Sequence, residues 1–274
     1  MANIHPTAVV DHSAQLADDV EVGPYAIIEG DVEIGPGTVI RPHAVIRRYT
    51  SMGAGNHVDS FVALGGEPQD YKFDVSQVSY LRIGDKNIFR EGVTISRGTG
   101  EGSETRVGDG TYWMANSHAG HNCIIEDGVI LANGALVAGH CTVGRKAILP
   151  ANGCVHQFVW IGEMCMFQGG AAISMHAPPF CLLAEDNTIV GLNVVGLRRS
   201  PDITDDDRED VKEVFQLLYR SGLTPTRALE EMDKRDLGSA GSRFREFVRK
   251  ACTAQKPYHR GIVPNINRGH QRKQ

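Results

Sequence analysis

A stacked parallel β-helix followed by a small α-helical segment is the fold the sequence predicts, on three observations. Large apolar residues recur every six positions. Two polar excursions break that register and then release it. Near residue 200 the six-residue period stops and helical spacing takes over. The first run steps through Ile4, Val10, Leu16, Val22, Ile28, Ile34, Ile40, Ile46, Met52, Val58 and Leu64 without a miss. With 41% of the chain hydrophobic, such a run arises by chance on the order of 10⁻⁴ or less. The period resumes at Ile83, Phe89 and Ile95, and again from Val107 through Trp113, Ala119 and Ile125 to Ile173. Four places after each large residue stands mostly a small or β-branched one, as at Ala8, Ala14, Val20 and Ala26. A helix repeats every 3.6 residues and a strand every two. Short parallel strands joined by tight turns and stacked coil on coil repeat every six.

The remaining elements follow in order. The excursions span 65–82, "GGEPQDYKFDVSQVSYLR", and 96–106, "SRGTGEGSETR"; loops on a rigid scaffold are where binding groups usually lie. The β-helix is expected over 1–200 and a helical domain over 201–274. In "TDDDREDVKEVFQLLYRSG", Thr204 and Asp207 form a capping box. Val211, Val214, Phe215, Leu218 and Tyr219 make one apolar face, and Gly222 is the stop. Thr224 caps a second helix with Pro225 at its first position, and Phe244, Phe247, Val248 and Ala251 mark a third. The tail from Lys256 to Gln274 holds five Lys/Arg, two histidines and no acid. It is expected to be a mobile end, with a charge that suits an acidic partner.

Composition narrows the function classes. The 274 residues are 22% charged, with a net charge of −5, so a packed core forms and no basic excess points to nucleic acid. The N-terminus lacks a basic segment followed by an apolar one, and no run of 18 apolar residues suggests a membrane span. The six cysteines show neither CxxC nor secreted spacing, which fits reduced thiols in a cytoplasmic protein. Glycine is frequent, at 31, and aromatics are only 7%, so tight turns and a thin core are expected.

The repeat resembles the hexapeptide-repeat family, whose hexads form left-handed parallel β-helices with three hexads per coil. On that geometry side chains 18 apart stack in rows. His121, Gly139 and Gln157 share one row. Gly120, Ala138 and His156 lie on one side of it, and Asn122, His140 and Phe158 on the other. His118 stands at the adjoining corner, within the motif "NSHAGHNC" at 116–123. Three readings fit this cluster. Neutral imidazoles on neighbouring strands can bind zinc, although no acidic partner to them is evident. They can also be plain surface or interface residues. Or a histidine of near-neutral pKa can act as general base, with the Gly139 N–H as oxyanion donor.

Longer motifs favour acyl transfer. "VTISRGT" at 93–99, "NSHAGHNC", "LVAGHCTVG" at 136–144, "CVHQFVWIG" at 154–162, "APPF" at 177–180 and "GLNVVGLRR" at 191–199 stand in one order. That ordered set resembles the bacterial UDP-N-acetylglucosamine O-acyltransferases that begin lipid A synthesis. The resemblance implies transfer of a 3-hydroxyacyl chain from acyl carrier protein to the sugar's 3-position. It implies active sites between subunits of a homotrimer, and neither metal nor cofactor. It further implies His121 as general base and Gly139 as oxyanion donor. Gln69, Asp70, Lys72, His118, His140, His156 and Gln157 would line the substrate cleft. Asn193 and Arg199 would contact the nucleotide, and Gly169 would floor the acyl channel, with bulky Phe167 and Gln168 beside it. The chain departs from the family pattern at Asn122, where a carboxylate is usual, and at Ser96, Val195 and Ser200. Those departures leave room for a 3-amino acceptor, for a paralogue acting on another nucleotide sugar, or for a non-catalytic trimeric sugar-nucleotide-binding scaffold.

Overall fold

The structure is a computed structural model that describes residues 1–265. It is a left-handed parallel β-helix capped by four helices. Each hexad contributes a short strand whose large residue faces inward, as in Glu21–Val22, Ile27–Ile28 and Glu33–Ile34. Among the described residues, three sheets of 11, 9 and 8 strands form the walls. Strand partners are 18 residues apart wherever the repeat is unbroken, for example Leu136 beside Cys154 and Thr142 beside Trp160. Across the excursions the separation grows to 31, at Ser51 and Arg82, and to 24, at Ile88 and Tyr112. The ladders therefore resume in register after each interruption, and the extra residues leave the prism at a corner.

The inward rows are filled as the period predicts. Val22 through Leu64, Ile83 to Ile95 and Val107 to Ile173 are buried at every sixth place, as are the small partners Ser117, Cys123, Ala135 and Cys141. The N-terminal end differs. Ile4 is 42% exposed, and Val10 and Leu16 are half-buried, because no coil lies beneath the first one. Polar residues at small inward places form a buried ladder. The Asn56 side chain donates to the Gly53 and Gly84 carbonyls and accepts from the Asn87 N–H. Asn87 accepts from Thr111, whose hydroxyl accepts from the Trp113 indole. Each interior polar group so paired avoids a desolvation cost of about 1–3 kcal/mol.

The hexads end in an antiparallel hairpin of Cys181–Ala184 and Thr188–Leu192, which the six-residue period does not foretell. Helices α1 (Val194–Arg199), α2 (Asp205–Tyr219), α3 (Pro225–Met232) and α4 (Ser239–Thr253) follow. The Thr204–Asp207 capping box and the Thr224 cap with Pro225 are present. Glu163, 8% exposed, fastens this domain to the coils by pairing with Arg145 at 2.7 Å and with Arg243 of α4. Lys146 and Asp202 add a pair at 2.7 Å.

The tail expectation needs correction over 256–265. This stretch folds back onto the β-helix. His176 N–H donates to the Gly261 carbonyl, Val263 N–H to His176, and Ile189 N–H to Pro264. Val263 is fully buried, and the Tyr258 ring stacks on Trp160 at 5.2 Å. Reading the segment by charge overlooked these apolar anchors. Residues 266–274, the rest of the expected tail, lie outside the described residues.

Candidate active site

The coil register brings His121, Asn122, Gly139, His140 and Phe158 to one corner. The His140 N–H donates to the His121 carbonyl and the Phe158 N–H to that of Gly139. Asn122, His140 and Phe158 each turn the corner at positive φ, at 57°, 60° and 63°, so their side chains rise in a stack. The His140 ring lies 4.7 Å from Phe158 in stacked geometry and meets His121 edge-on at 4.9 Å.

His121 is 8% exposed, and its tautomer follows from its partners. Nδ1 lies 2.9 Å from Oδ1 of Asn122. The Thr99 N–H donates to the same oxygen at 2.9 Å, so that atom is an acceptor and Nδ1 carries the hydrogen. The lone pair is therefore on Nε2, the atom a general base uses. Asn122 is itself held by its N–H on the Thr105 hydroxyl, at 2.8 Å. A Cβ at residue 139 would stand 2.8 Å from Cε1 and Nε2 of His121. Glycine is thus what lets the ring reach its place. The Gly139 N–H has no hydrogen-bond partner among the described residues.

The other sequence-predicted residues divide into groups. His118 is half-buried, with Nδ1 2.8 Å from the Thr94 hydroxyl, and burial lowers its pKa. His140 is also lowered, by burial first and by His121 second, while the charge of Asp70 raises it. Asp70 lies on the first excursion. Gln69, Asp70 and Lys72 are exposed on that loop, which turns where the Lys72 N–H donates to the Asp70 carboxylate at 2.9 Å. His156 and Gln157 are exposed on the next coil.

Asn193 and Arg199 are not brought into this cluster. Asn193 caps α1: Oδ1 accepts from the Gly196 N–H and Nδ2 donates to the Met164 carbonyl, each at 2.9 Å. Its side chain is committed to the fold on both sides. Arg199 is exposed in the last turn of α1. Gly169 stands exposed three coils beyond Ala115, and a Cβ there meets nothing within 4 Å. Phe167, expected beside the channel, is 5% exposed and points into the core, because it occupies the large inward place of its hexad. Among the described residues no group of three His, Cys, Asp or Glu is arranged to hold a metal ion. Sequence reasoning missed Thr99 and Thr105. Both lie in the second excursion: Thr105 fills the small inward place of the strand Glu104–Val107, while Thr99 reaches Asn122 only through the folded loop.

Comparison with known proteins agrees with this geometry. The family model described as "Udp N-acetylglucosamine O-acyltransferase; Domain 2" matches residues 177–263, and that for "Bacterial transferase hexapeptide (six repeats)" matches 13–48 and 104–139. An acyl-[acyl-carrier-protein]–UDP-N-acetylglucosamine O-acyltransferase of Syntrophobacter fumaroxidans is 44% identical over 84% of this chain and 89% of its own. Its namesake in Synechocystis is 38% identical over 96% and 94%. Among solved structures, the Francisella novicida UDP-N-acetylglucosamine acyltransferase superposes with a TM-score of 0.88 at 33% identity, covering 97% of this chain and 95% of that one. The Campylobacter jejuni UDP-N-acetylglucosamine acyltransferase gives 0.86 at 33%, covering 96% and 99%. A hexad prism with a tautomer-fixed histidine on its corner, matched along nearly its whole length by these proteins, belongs to the acyl-[acyl-carrier-protein]–UDP-N-acetylglucosamine O-acyltransferase family.

Proposed function

We propose that this chain transfers a 3-hydroxyacyl group from acyl carrier protein to the 3-hydroxyl of UDP-N-acetylglucosamine, the first step of lipid A biosynthesis. The observation that carries the reading is the arrangement of His121 between Asn122 and Gly139, with Nε2 bare beside a glycine. His121 Nε2 takes the proton of the sugar hydroxyl as that oxygen attacks the thioester carbonyl. A C–O bond forms, and the carbonyl oxygen becomes an oxyanion that the Gly139 N–H stabilises. The intermediate collapses with cleavage of the C–S bond, and the proton on His121 passes to the departing thiolate. Asp70 and Lys72 reach the sugar from the first excursion. Arg199 has the planar donor set that suits a diphosphate.

The working unit is proposed to be a homotrimer with each site between two subunits. On one chain Leu136 is 48% exposed, and His156, Gln157 and Cys154 stand open beside it. A second subunit across this face would exclude water from the thioester. No helix of the described residues is long and apolar enough to cross a membrane; the proposed donor and acceptor are water-soluble, which suits a cytoplasmic site.

The test is turnover of purified protein with 3-hydroxyacyl carrier protein and UDP-N-acetylglucosamine, and with the 3-amino sugar as a second acceptor. His121→Ala is expected to lose most turnover and keep its thermal transition. Failure of the parent protein with both acceptors sinks the assignment, and an active His121→Ala removes the proposed base.

A further inference from the structure

Arg97 lies at the start of the second excursion and is only 6% exposed. Its Nε is buried without a hydrogen-bond partner among the described residues. Taking part of a guanidinium out of water without a counter-charge is costly, and the rings around it compensate. The guanidinium carbon stands 5.5 Å from the Tyr49 ring centroid and 5.4 Å from that of Phe73. Both distances are within the roughly 6 Å over which a ring face attracts a cation, and arginine is the residue most often used this way.

The two rings belong to different parts of the molecule. Tyr49 is built into the coils: its N–H donates to the Asp31 carbonyl, and its carbonyl accepts from the Leu81 N–H. Phe73 is on the first excursion, one residue from Lys72 and three from Asp70. The backbone of Arg97 is bonded to the start of the same excursion, its N–H donating to the Gly66 carbonyl. Two residues further on, the Thr99 N–H holds the amide that orients His121. One short segment thus touches both the loop that bears acceptor-facing groups and the partner of the catalytic histidine.

We propose that Arg97 is a positioning residue that clamps the first excursion to the coil body through Tyr49 and Phe73, and so sets where Asp70 and Lys72 stand against the acceptor sugar. The effect on the sugar rests on the acceptor-binding role proposed above for that loop; the clamp does not.

The experiment uses the full chain with Arg97→Met, Arg97→Lys and Phe73→Leu, and reads two quantities. The first is deuterium uptake of residues 67–79, which needs no enzymatic activity. Arg97→Met and Phe73→Leu are each expected to speed it about tenfold while the coil strands stay protected; Arg97→Lys, which keeps the charge, falls between. The second is steady-state kinetics. Acceptor KM is expected to rise about tenfold, with kcat within about threefold, and the double variant Arg97→Met/Phe73→Leu should be no worse than the worse single one. Should Arg97→Met fail to fold, Phe73→Leu carries the same test from the loop side. Unchanged uptake in the loop variants overturns the clamp. A freed loop with unchanged acceptor KM overturns its link to the sugar. Should the parent protein prove inactive, the functional reading falls and deuterium uptake still decides the clamp.

Discussion

His121 and Gly139 are in direct contact: the imidazole occupies the space where a side chain at 139 would begin, 2.8 Å from both Cε1 and Nε2. Gly139→Ala must therefore move the base. Its φ is not in the left-handed region, so the backbone accepts alanine and the cost falls on the ring. The expected result is a loss in kcat/KM of about 10²–10³, comparable with loss of an oxyanion donor, and a thermal transition within a few degrees of the parent. Retention of more than a tenth of the parent kcat/KM shows that the ring does not need this place.

Asn122 orients His121 without giving it a charge to lean on. Both of its partners, Nδ1–H of His121 and the Thr99 N–H, donate to the same oxygen. A carboxylate can accept both, so Asn122→Asp fits the existing bonds. An adjacent negative charge favours imidazolium and raises the histidine pKa. The acid limb of the kcat/KM profile is then expected to move to higher pH in Asn122→Asp, with the plateau rising several-fold as the charge stabilises the transition state. A limb that stays put or moves to lower pH argues that Asn122 does not act on His121.

Much of this architecture is legible in the sequence because a hexad is a geometric unit. Once Val137 and Val143 are inward, Gly139 and His140 have nowhere to stand but the corner. The caps of α2 and α3 are equally local, written within four residues of each helix start. What is not legible depends on chain that leaves the repeat. Thr99 reaches Asn122 across 23 residues of sequence, through a loop whose path no period dictates. Asn193, which the motif resemblance places at the nucleotide, also bonds the Met164 carbonyl and the Gly196 N–H, partners set by where the helix starts. The 256–265 strap is held by Tyr258 and Val263, two apolar side chains in a stretch that otherwise looks like a charged tail.

Gly169 leaves open space where its side chain would be, and it lies just under three coils from His121, about 13 Å at the spacing of neighbouring strands. Between them the outward residues Leu136 and Cys154 offer an apolar surface. An acyl chain laid along this face would end near residue 169. Gly169→Met is expected to shift preference to shorter acyl carrier protein thioesters, lowering kcat/KM for the preferred chain at least about tenfold, the effect of one or two methylenes in a pocket. Stability should be unaffected, since nothing is displaced. Equal losses across all chain lengths exclude a role for this position in measuring the chain.

His176 makes stability depend on pH. It is fully buried, its Nδ1 accepts the Trp160 N–H at 3.0 Å, and its Nε2 donates to the Tyr258 carbonyl at 2.8 Å. A proton added at Nδ1 breaks the first bond and places a charge near Lys250 and Arg260. Burial chiefly, then those two cations, hold its pKa below the ordinary value, and burial depresses His118 and His140 in the same direction. In the unfolded chain these histidines bind protons near pH 6.5; in the folded one they wait for lower pH. Between those limits the unfolded state binds more protons, so the stabilisation is complete above about pH 6.5 and declines as the pH falls. Thermal melts should give a lower transition at pH 5.5 than at pH 7.5. His176→Gln should melt lower at pH 7.5 but lose less on acidification, because one titrating group is gone. An identical drop in both proteins assigns the acid sensitivity to other groups.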